Sequence, residues 1–523
     1  YDMMTVSFWS LPEKKESAMM YQEVISGIVR GVAGQLIHVE VEIRNGLPYF
    51  TMVGCLSKEA AEAKERVASA LRSIGHPLPS MKLTVNLSPA NIKKKGTAFD
   101  FPIAVAFLAC LGLIPGSELD KICILGELAL NGKIHGAGCC LPIILEARKR
   151  GIHRFFLAAE DQNSLEDMDG IQIIPMEHLS DVLDYFHGTM KNRTGLRKEW
   201  VPEEESEDFS DIRGQQHLKR AVEAAVTGRH HLLLVGSPGS GKTMAVKRIP
   251  TILPPLTDSQ RLEVQSIYDA AGISRNIADW RCPVRMPHSS IPKGALIGGG
   301  QEPKAGEITL AHHGILVMDE LMEFRQECLE ALRQPLEEKR IQVNRLGWNY
   351  VFPADFQMIG TMNPCPCGFA LEDGRCRCSQ LKKRQYLRKL SGPLLDRFDM
   401  VLTVKEEKEP ARPPETSKEI RSRVINNIQL EKERLAGTGC SFFSELKAED
   451  VMRLCRPSAE VRKLLETAAD MKKISRRGIH KILKLSMTLS LMDGEDNICP
   501  VHVLEAMTFR NTGFVEEVAG DGR

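Results

Sequence analysis

The stretch HLLLVGSPGSGKT, residues 231 to 243, constrains the chain more than any other. An apolar run, Leu232 to Val235, reads as a buried strand and leads directly into Gly236, Gly239, Gly241, Lys242 and Thr243 at the spacing G-x-x-x-x-G-K-[ST]. The loop Gly236, Ser237, Pro238, Gly239, Ser240, Gly241 can curl until its backbone N–H groups face inward at phosphate oxygens, and a following helix adds its positive end. In that frame Lys242 neutralises the β- and γ-phosphates of ATP and Thr243 ligates Mg²⁺. The alternative is a chance glycine-rich turn, and the strand ahead of it argues against that.

Further along, GILVMDELMEF is a second apolar run, Ile315 to Met318, ending in Asp319 and Glu320. A carboxylate at the carboxyl edge of a neighbouring parallel strand can hold phosphate-bound Mg²⁺, and the next can polarise an attacking water. Asp319 is assigned to the metal and Glu320 to the base. Alone, such a run is as often a strand meeting a solvated turn; with the phosphate loop upstream the catalytic reading is favoured. FQMIGTMN ends a third strand in Asn363, an amide that can orient water, or a plain turn residue. SGPLLDRFD supplies Arg397, which could be offered to a neighbour's γ-phosphate or sit in a surface ion pair. Arg476 and Arg477, in SRRGIHKIL, either fold back over the nucleotide or solvate a helix start.

At 523 residues the chain exceeds one core, and about 100–200 residues per domain implies about three domains. Residues 1–20 are set apart as an N-terminal extension. Residues 21–187 alternate short strand-like runs (QLIHVEVEI, KLTVNL, ICILGEL, RFFLA) with helical patterns, an α/β domain. Residues 188–208 lack apolar periodicity and read as a linker, residues 209–405 carry the nucleotide motifs, and 406–523 is a Pro-rich connection followed by a helical lid. The 69 Lys and Arg against 68 Asp and Glu leave a net charge of +1, so any nucleic-acid surface must be local. Fourteen cysteines without a signal peptide suit a reducing cytoplasm. The apolar run after Asp100 is too short for a membrane span and reads as a buried helix, so no membrane is expected as partner.

Four cysteines crowd into NPCPCGFALEDGRCRC: Cys365, Cys367, Cys376 and Cys378. Two C-x-C pairs separated by eight residues can close a tetrahedral Zn²⁺ shell, although C-x-x-C pairs are commoner; free thiols are the alternative. Arg375, Arg377, Lys382, Lys383, Arg384, Arg388 and Lys389 follow with no Asp or Glu among them. A metal-stapled loop could project these onto DNA phosphates; a solvated helix face is an even alternative. ALIGGG, at 295–300, and the lysine run at 93–95 are weaker candidates of the same kind.

Taken together, FSDIRGQ, GSPGSGKT, ALIGGGQEPKAGEITLAHHGILVMDE, LEALRQPLEE, MNPCPCG, SGPLLDRFD and SRRGIHKIL, preceded by NGLPYFTMVG and GTAFDFPIA, resemble the ComM/YifB group of magnesium-chelatase-like AAA+ ATPases over nearly the whole chain. The resemblance implies a homo-hexameric DNA helicase for branch migration in natural transformation. It also implies that Gly236–Thr243 are Walker A, Asp319 and Glu320 Walker B, Asn363 sensor 1, Arg397 a trans-acting arginine finger and Arg477 sensor 2, with Ile212 to Gln216 bordering the adenine. The N-terminal domain resembles the Lon proteolytic domain, but the place of the serine falls at or near Asp100 and that of the lysine at Leu141, so no protease activity is expected. A chelatase motor or a protein-remodelling ATPase acting without DNA is the runner-up.

Overall fold

The computed structural model describes residues 20–94, 96–162, 168, 170–190, 207–276, 278–345, 348–372, 374–405, 414–472 and 474–519. The extension before Met20 and most of the expected linker and Pro-rich connection lie outside the described residues. The chain divides into two compact units, Tyr1–Trp200 with Gly272–Ala278, and Val201–Ala271 with Asp279–Arg523.

In the first unit a mixed seven-stranded sheet runs in the order Gln172–Met176, Arg154–Ala158, Ile122–Ile124, Met20–Arg30, Ala33–Arg44, Lys82–Ser88, Tyr49–Val53. The strand Ala33–Arg44 shows why: Ile37, Val39, Val41 and Ile43 are fully buried and alternate with His38, Glu40 and Glu42, the period of a sheet with one packed face. The apolar run after Asp100 becomes the helix Asp100–Cys110, buried on almost every side against Met20–Arg30 and Ala33–Arg44. No helix among the described residues is long and apolar enough to cross a membrane.

This unit places the Lon-like landmarks. Asp100 is buried and its carboxylate is tied to Arg66 through Nε and, at 3.2 Å, Nη2. Burial pushes that carboxyl up to about 6 against the pull of Arg66. Leu141 is a core side chain. In the lysine run, Lys94 is fully buried with its ammonium on the Pro89 carbonyl, which removes it from any surface that could meet DNA.

The second unit holds a five-stranded, all-parallel sheet in the order Val284–Arg285, Ile315–Met318, Gln357–Met362, Leu232–Gly236, Met400–Val404. The strand leading into the phosphate loop is interior, with Leu232 beside both Ile359 and Met400. Its neighbours cover it in the sheet and helices cover its faces, so LLLV is apolar without alternation. The tail is helical as expected: Ser417–Arg434 starts on a Thr416/Glu419 capping box and Arg476–Met492 on the Ser475 hydroxyl. Ile420, Val424 and Ile428 join Ile482, Leu483 and Leu485 in the same core as the sheet.

Two imidazoles lead into the strand Leu232–Gly236. His230 Nε2 meets Thr488 Oγ1 at 2.8 Å, and His231 Nδ1 accepts from the Met358 N–H at 3.0 Å. Burial pushes both down to about 4. An unfolded histidine titrates near ~6.5, so the folded unit refuses protons that the unfolded chain takes up. That contribution is complete above about pH 6.5 and is lost as pH falls toward 4. The thermal midpoint of this unit should therefore drop from pH 7 to pH 4.5 with net proton uptake on unfolding; calorimetry in buffers of different ionisation enthalpy checks this, and a flat profile contradicts it.

Candidate nucleotide site

Strand ends create the site. The carboxyl ends of Leu232–Gly236, Gln357–Met362 and Ile315–Met318 lie side by side, and each delivers polar residues to one edge of the sheet. Gly239 and Gly241 take φ of +83° and +90°, and nothing lies within 4 Å of where a Cβ would stand on either, so the loop is open toward its ligand side. A cavity of about 840 Å³ lies elsewhere in this unit, but the phosphate loop lines a different one, of about 420 Å³, together with Lys242, Thr243, Glu320 and Asn363.

Within it, Lys242 Nζ donates to the carbonyls of Gly236 at 2.7 Å and Ser237 at 2.8 Å and stands 3.5 Å from Asn363 Oδ1. Burial lowers its pKa while Asp319 and Glu320 oppose the shift. Thr243 Oγ1 is 3.4 Å from Asp319 Oδ1, the pair expected to share Mg²⁺. Thr361 supplies what the sequence reading missed: its hydroxyl bonds Asp319 and accepts the Glu320 N–H at 3.0 Å. Glu320 sits in the left-handed region at φ +52°, costing a non-glycine residue about 1 kcal/mol or more, and Thr361 holds that turn. The signal was present as a hydroxyl in the strand FQMIGTMN. The hydroxyl and carboxylate fit as oxygen ligands of a phosphate-bound hard cation, and the ammonium and open glycine loop fit the phosphates.

Other expected residues lie elsewhere. Ile212 is a core residue and Gln216 begins the helix Gln216–Thr227; neither lines the phosphate cavity. Arg397 and Arg477 line the larger cleft and not the phosphate cavity of their own chain, so neither folds back over it. The cause is Lys481, one helical turn beyond Arg477. Its ammonium donates to the carbonyls of Asp396 (2.7 Å), Arg397 (3.1 Å) and Phe398 (3.1 Å) and pairs with Asp399 at 2.9 Å. Positions four apart share a helix face, so tying Lys481 to this turn sets Arg477 beside Arg397. Burial alone would raise the Asp399 carboxyl, but Lys481 and the neighbouring histidines hold it well below the usual range. Arg397 is paired with Glu337 at 2.6 Å.

The cysteines meet as expected. Sγ–Sγ distances are 3.4 Å for Cys365–Cys367, 3.8 Å for Cys365–Cys376 and 3.7 Å for Cys367–Cys376, and all four sulfurs including Cys378 lie within 4.8 Å. Tetrahedral Zn–S bonds of ~2.3 Å put sulfurs ~3.8 Å apart, so the cluster has the size of a zinc shell. The Phe369 N–H pulls the Cys367 thiol down to about 6 despite burial, with help from the Arg377 N–H. Glu263, His312 and His313 form a second compact group. There the Asp355 N–H donates to His312 Nδ1 at 3.0 Å, so Nε2 carries the proton and donates to Glu263; that ring offers no lone pair to a cation, and the group is a structural tie.

The basic residues sit before, on and just past the helix Gln380–Leu387; Lys382, Arg388 and Lys389 are exposed, although Lys389 Nζ also caps the Met322 carbonyl. A hairpin of Arg340–Arg345 and Trp348–Pro353, which the sequence reading passed over, precedes the Asn363 strand. The alternating RIQVNRLGWNYVF was its signal. ALIGGG is a short helix, Lys293–Ile297, followed by Gly298 packed on the Lys304 carbonyl.

A parallel sheet with a phosphate loop, a carboxylate pair and a polar sensor at adjacent strand ends, followed by a helical region, defines a P-loop ATPase of the AAA+ class. Matches to known families agree: "Magnesium chelatase, subunit ChlI" covers residues 208–411, "Subunit ChlI of Mg-chelatase" residues 39–161, and "Magnesium chelatase, subunit ChlI C-terminal" residues 414–510. The chain is 36% identical over 505 residues to the competence protein ComM of Haemophilus influenzae, covering 93% of this chain and 97% of that protein. It is 34% identical over 491 residues to YifB of Escherichia coli, covering 92% and 95%. A shorter likeness, 27% over 176 residues, joins 31% of this chain to 22% of the Lon protease of Methanosarcina barkeri. The chain belongs to the ComM/YifB family of magnesium-chelatase-like AAA+ ATPases.

Replacing Lys481 with Met leaves the buried Asp399 carboxylate without its strongest partner. Unpairing such a charge costs about 3–5 kcal/mol, so the thermal transition of this unit should fall by several degrees, with Lys481→Arg losing less.

Proposed function

We propose that the protein is a ring-forming ATP-driven DNA motor, a helicase acting on single-stranded or branched DNA. The observation that carries this is the separation of the two halves of the chemistry. Lys242, Thr243, Glu320 and Asn363 line one cavity of the chain while Arg397 and Arg477 line another. Among the described residues no guanidinium lines the phosphate cavity to neutralise charge developing on the γ-phosphate, and a second copy can offer one. Six copies is the number that the family resemblance adds.

In each composite site the Gly236–Gly241 loop would receive the phosphates of ATP, and Thr243 with Asp319 would hold Mg²⁺, which would supply charge neutralisation there. Lys242 leaves the carbonyls of Gly236 and Ser237 for the phosphate oxygens. Glu320 accepts a proton from the water it orients, Asn363 fixes the direction of that water, and Arg397 with Arg477 from the adjoining copy meet the transition-state charge. Ile212 and Gln216 remain the proposed border of the adenine.

The basic run from Arg375 to Lys389, which holds no Asp or Glu, together with Arg345, Trp348 and Tyr350 on the hairpin, supports DNA as the track: cations for phosphates and rings for bases. The name of the Haemophilus relative supports a setting in competence. The cysteine cluster is proposed to hold a structural Zn²⁺, the N-terminal unit to be a Lon-like domain without protease chemistry, and the location to be cytoplasmic. The proposed boundaries remain 21–187, 209–405 and 406–523.

Four measurements test this. Glu320→Gln should bind ATP and lose turnover by ~100-fold or more. Arg397→Ala should lose ~1,000-fold or more, and mixing it with Lys242→Ala, each dead alone, should restore turnover because some interfaces then hold one intact half from each; no restoration contradicts the composite site. DNA should stimulate ATPase activity, and the stimulation should fall steeply between ~50 and ~200 mM salt. Metal analysis of the purified chain should give about one Zn²⁺ per chain, lost in the Cys367→Ser, Cys376→Ser double variant.

A further inference from the structure

The segment between the two cysteine pairs leans on the phosphate loop. Gly368, at φ +86°, donates its N–H to the Cys365 carbonyl at 2.9 Å and faces Pro238: a Cβ on it would come within 2.5 Å of Pro238 Cδ and 2.8 Å of Cγ. Four residues on, the Glu372 carboxyl is held below its usual range by the Ser237 side chain and by Arg375, which donates to it and lays its guanidinium 4.4 Å over the Phe369 ring. Ser237 and Pro238 are consecutive residues of the loop that must wrap the phosphates, and the Ser237 carbonyl is one of the two that hold Lys242.

The leaning segment has little apolar material of its own. Phe369, Ala370 and Leu371 are only half-buried and Gly374 and Arg375 are exposed. Its ends, by contrast, converge on the four sulfurs. A loop whose ends are pinned by a closed tetrahedral shell loses little entropy when it presents a side chain; the same loop without the pin must be ordered each time.

We propose that the knuckle is a clamp on the phosphate loop: Glu372 and Gly368 are positioning residues for nucleotide binding, acting through Ser237 and Pro238, and nucleotide affinity depends on occupancy of the cysteine site by Zn²⁺. This rests on the reading of the four cysteines as a zinc site. It assigns the metal a role inside the ATPase cycle and not only at a DNA surface.

The test is titration of the full chain with a fluorescent ADP in Mg²⁺, without DNA, alongside metal analysis. Removing zinc with a chelator that spares Mg²⁺ should raise the Kd about tenfold, and Glu372→Ala should do the same with zinc content unchanged, since a hydrogen bond to a charged group is worth about that factor. Glu372→Gln, which keeps an acceptor for Ser237 but loses the charge, should raise the Kd by less than Glu372→Ala does. Zinc removal from Glu372→Ala should add little, because both changes release the same contact. Zinc present, but a Kd indifferent to its removal or to Glu372→Ala, overturns the clamp and leaves the zinc site standing. Absence of bound zinc overturns the zinc reading and the clamp with it, while leaving the DNA motor untouched.

Discussion

The ammonium of Lys481 organises the ATPase unit. Three carbonyls of one turn and the Asp399 carboxylate converge on it, with Arg510 capping the Phe398 and Asp399 carbonyls from the far end of the lid. Asp399 in turn accepts the N–H of His231 at 3.0 Å, the residue from which the strand Leu232–Gly236 departs. One buried charge pair thereby couples the lid helix, the arginine turn and the strand that feeds the phosphate loop. Such a pair adds little net stability over an apolar one, but it fixes register: the carbonyl fan accepts an ammonium at one height on the helix.

A second economy appears at Thr361. The strand that ends in Asn363 also places one hydroxyl between the two carboxylates of the neighbouring strand, bonding the side chain of Asp319 and the backbone of Glu320. The left-handed turn at Glu320 then needs no glycine. The carboxylate expected to act as base is aimed into the cavity by backbone geometry, and its neighbour Asp319 is held beside Thr243.

Legibility differed by the range of the physics involved. Local signals were readable: LLLVGSPGSGKT, ILVMDE and C-x-C each carry their meaning within a dozen residues, and the helix after Asp100 announces itself by apolar length. The placement of Arg477 was not, because it is set by Lys481 reaching a turn more than eighty residues away, and nothing in SRRGIHKIL distinguishes a helix face turned to its own nucleotide from one turned elsewhere. Lys94 misled in the opposite way. A lysine in a run reads as solvated, and only the tertiary environment, a carbonyl waiting at Pro89, explains why one of them is buried. Glu372 was invisible since its partner, Ser237, is far off in sequence.

The parallel sheet also dictates an order of events during synthesis. The first unit opens with a hairpin, Met20–Arg30 against Ala33–Arg44, which can close within seconds of emerging because its strands are neighbours in the chain. The strand Leu232–Gly236 has no such neighbour: both of its partners, Gln357–Met362 and Met400–Val404, are made long afterwards. Until they emerge, LLLV is an apolar edge without hydrogen-bonding company, the kind of segment that attracts chaperones and aggregates. The nucleotide loop that defines this protein is among the first parts of its unit to be translated and among the last to acquire a platform.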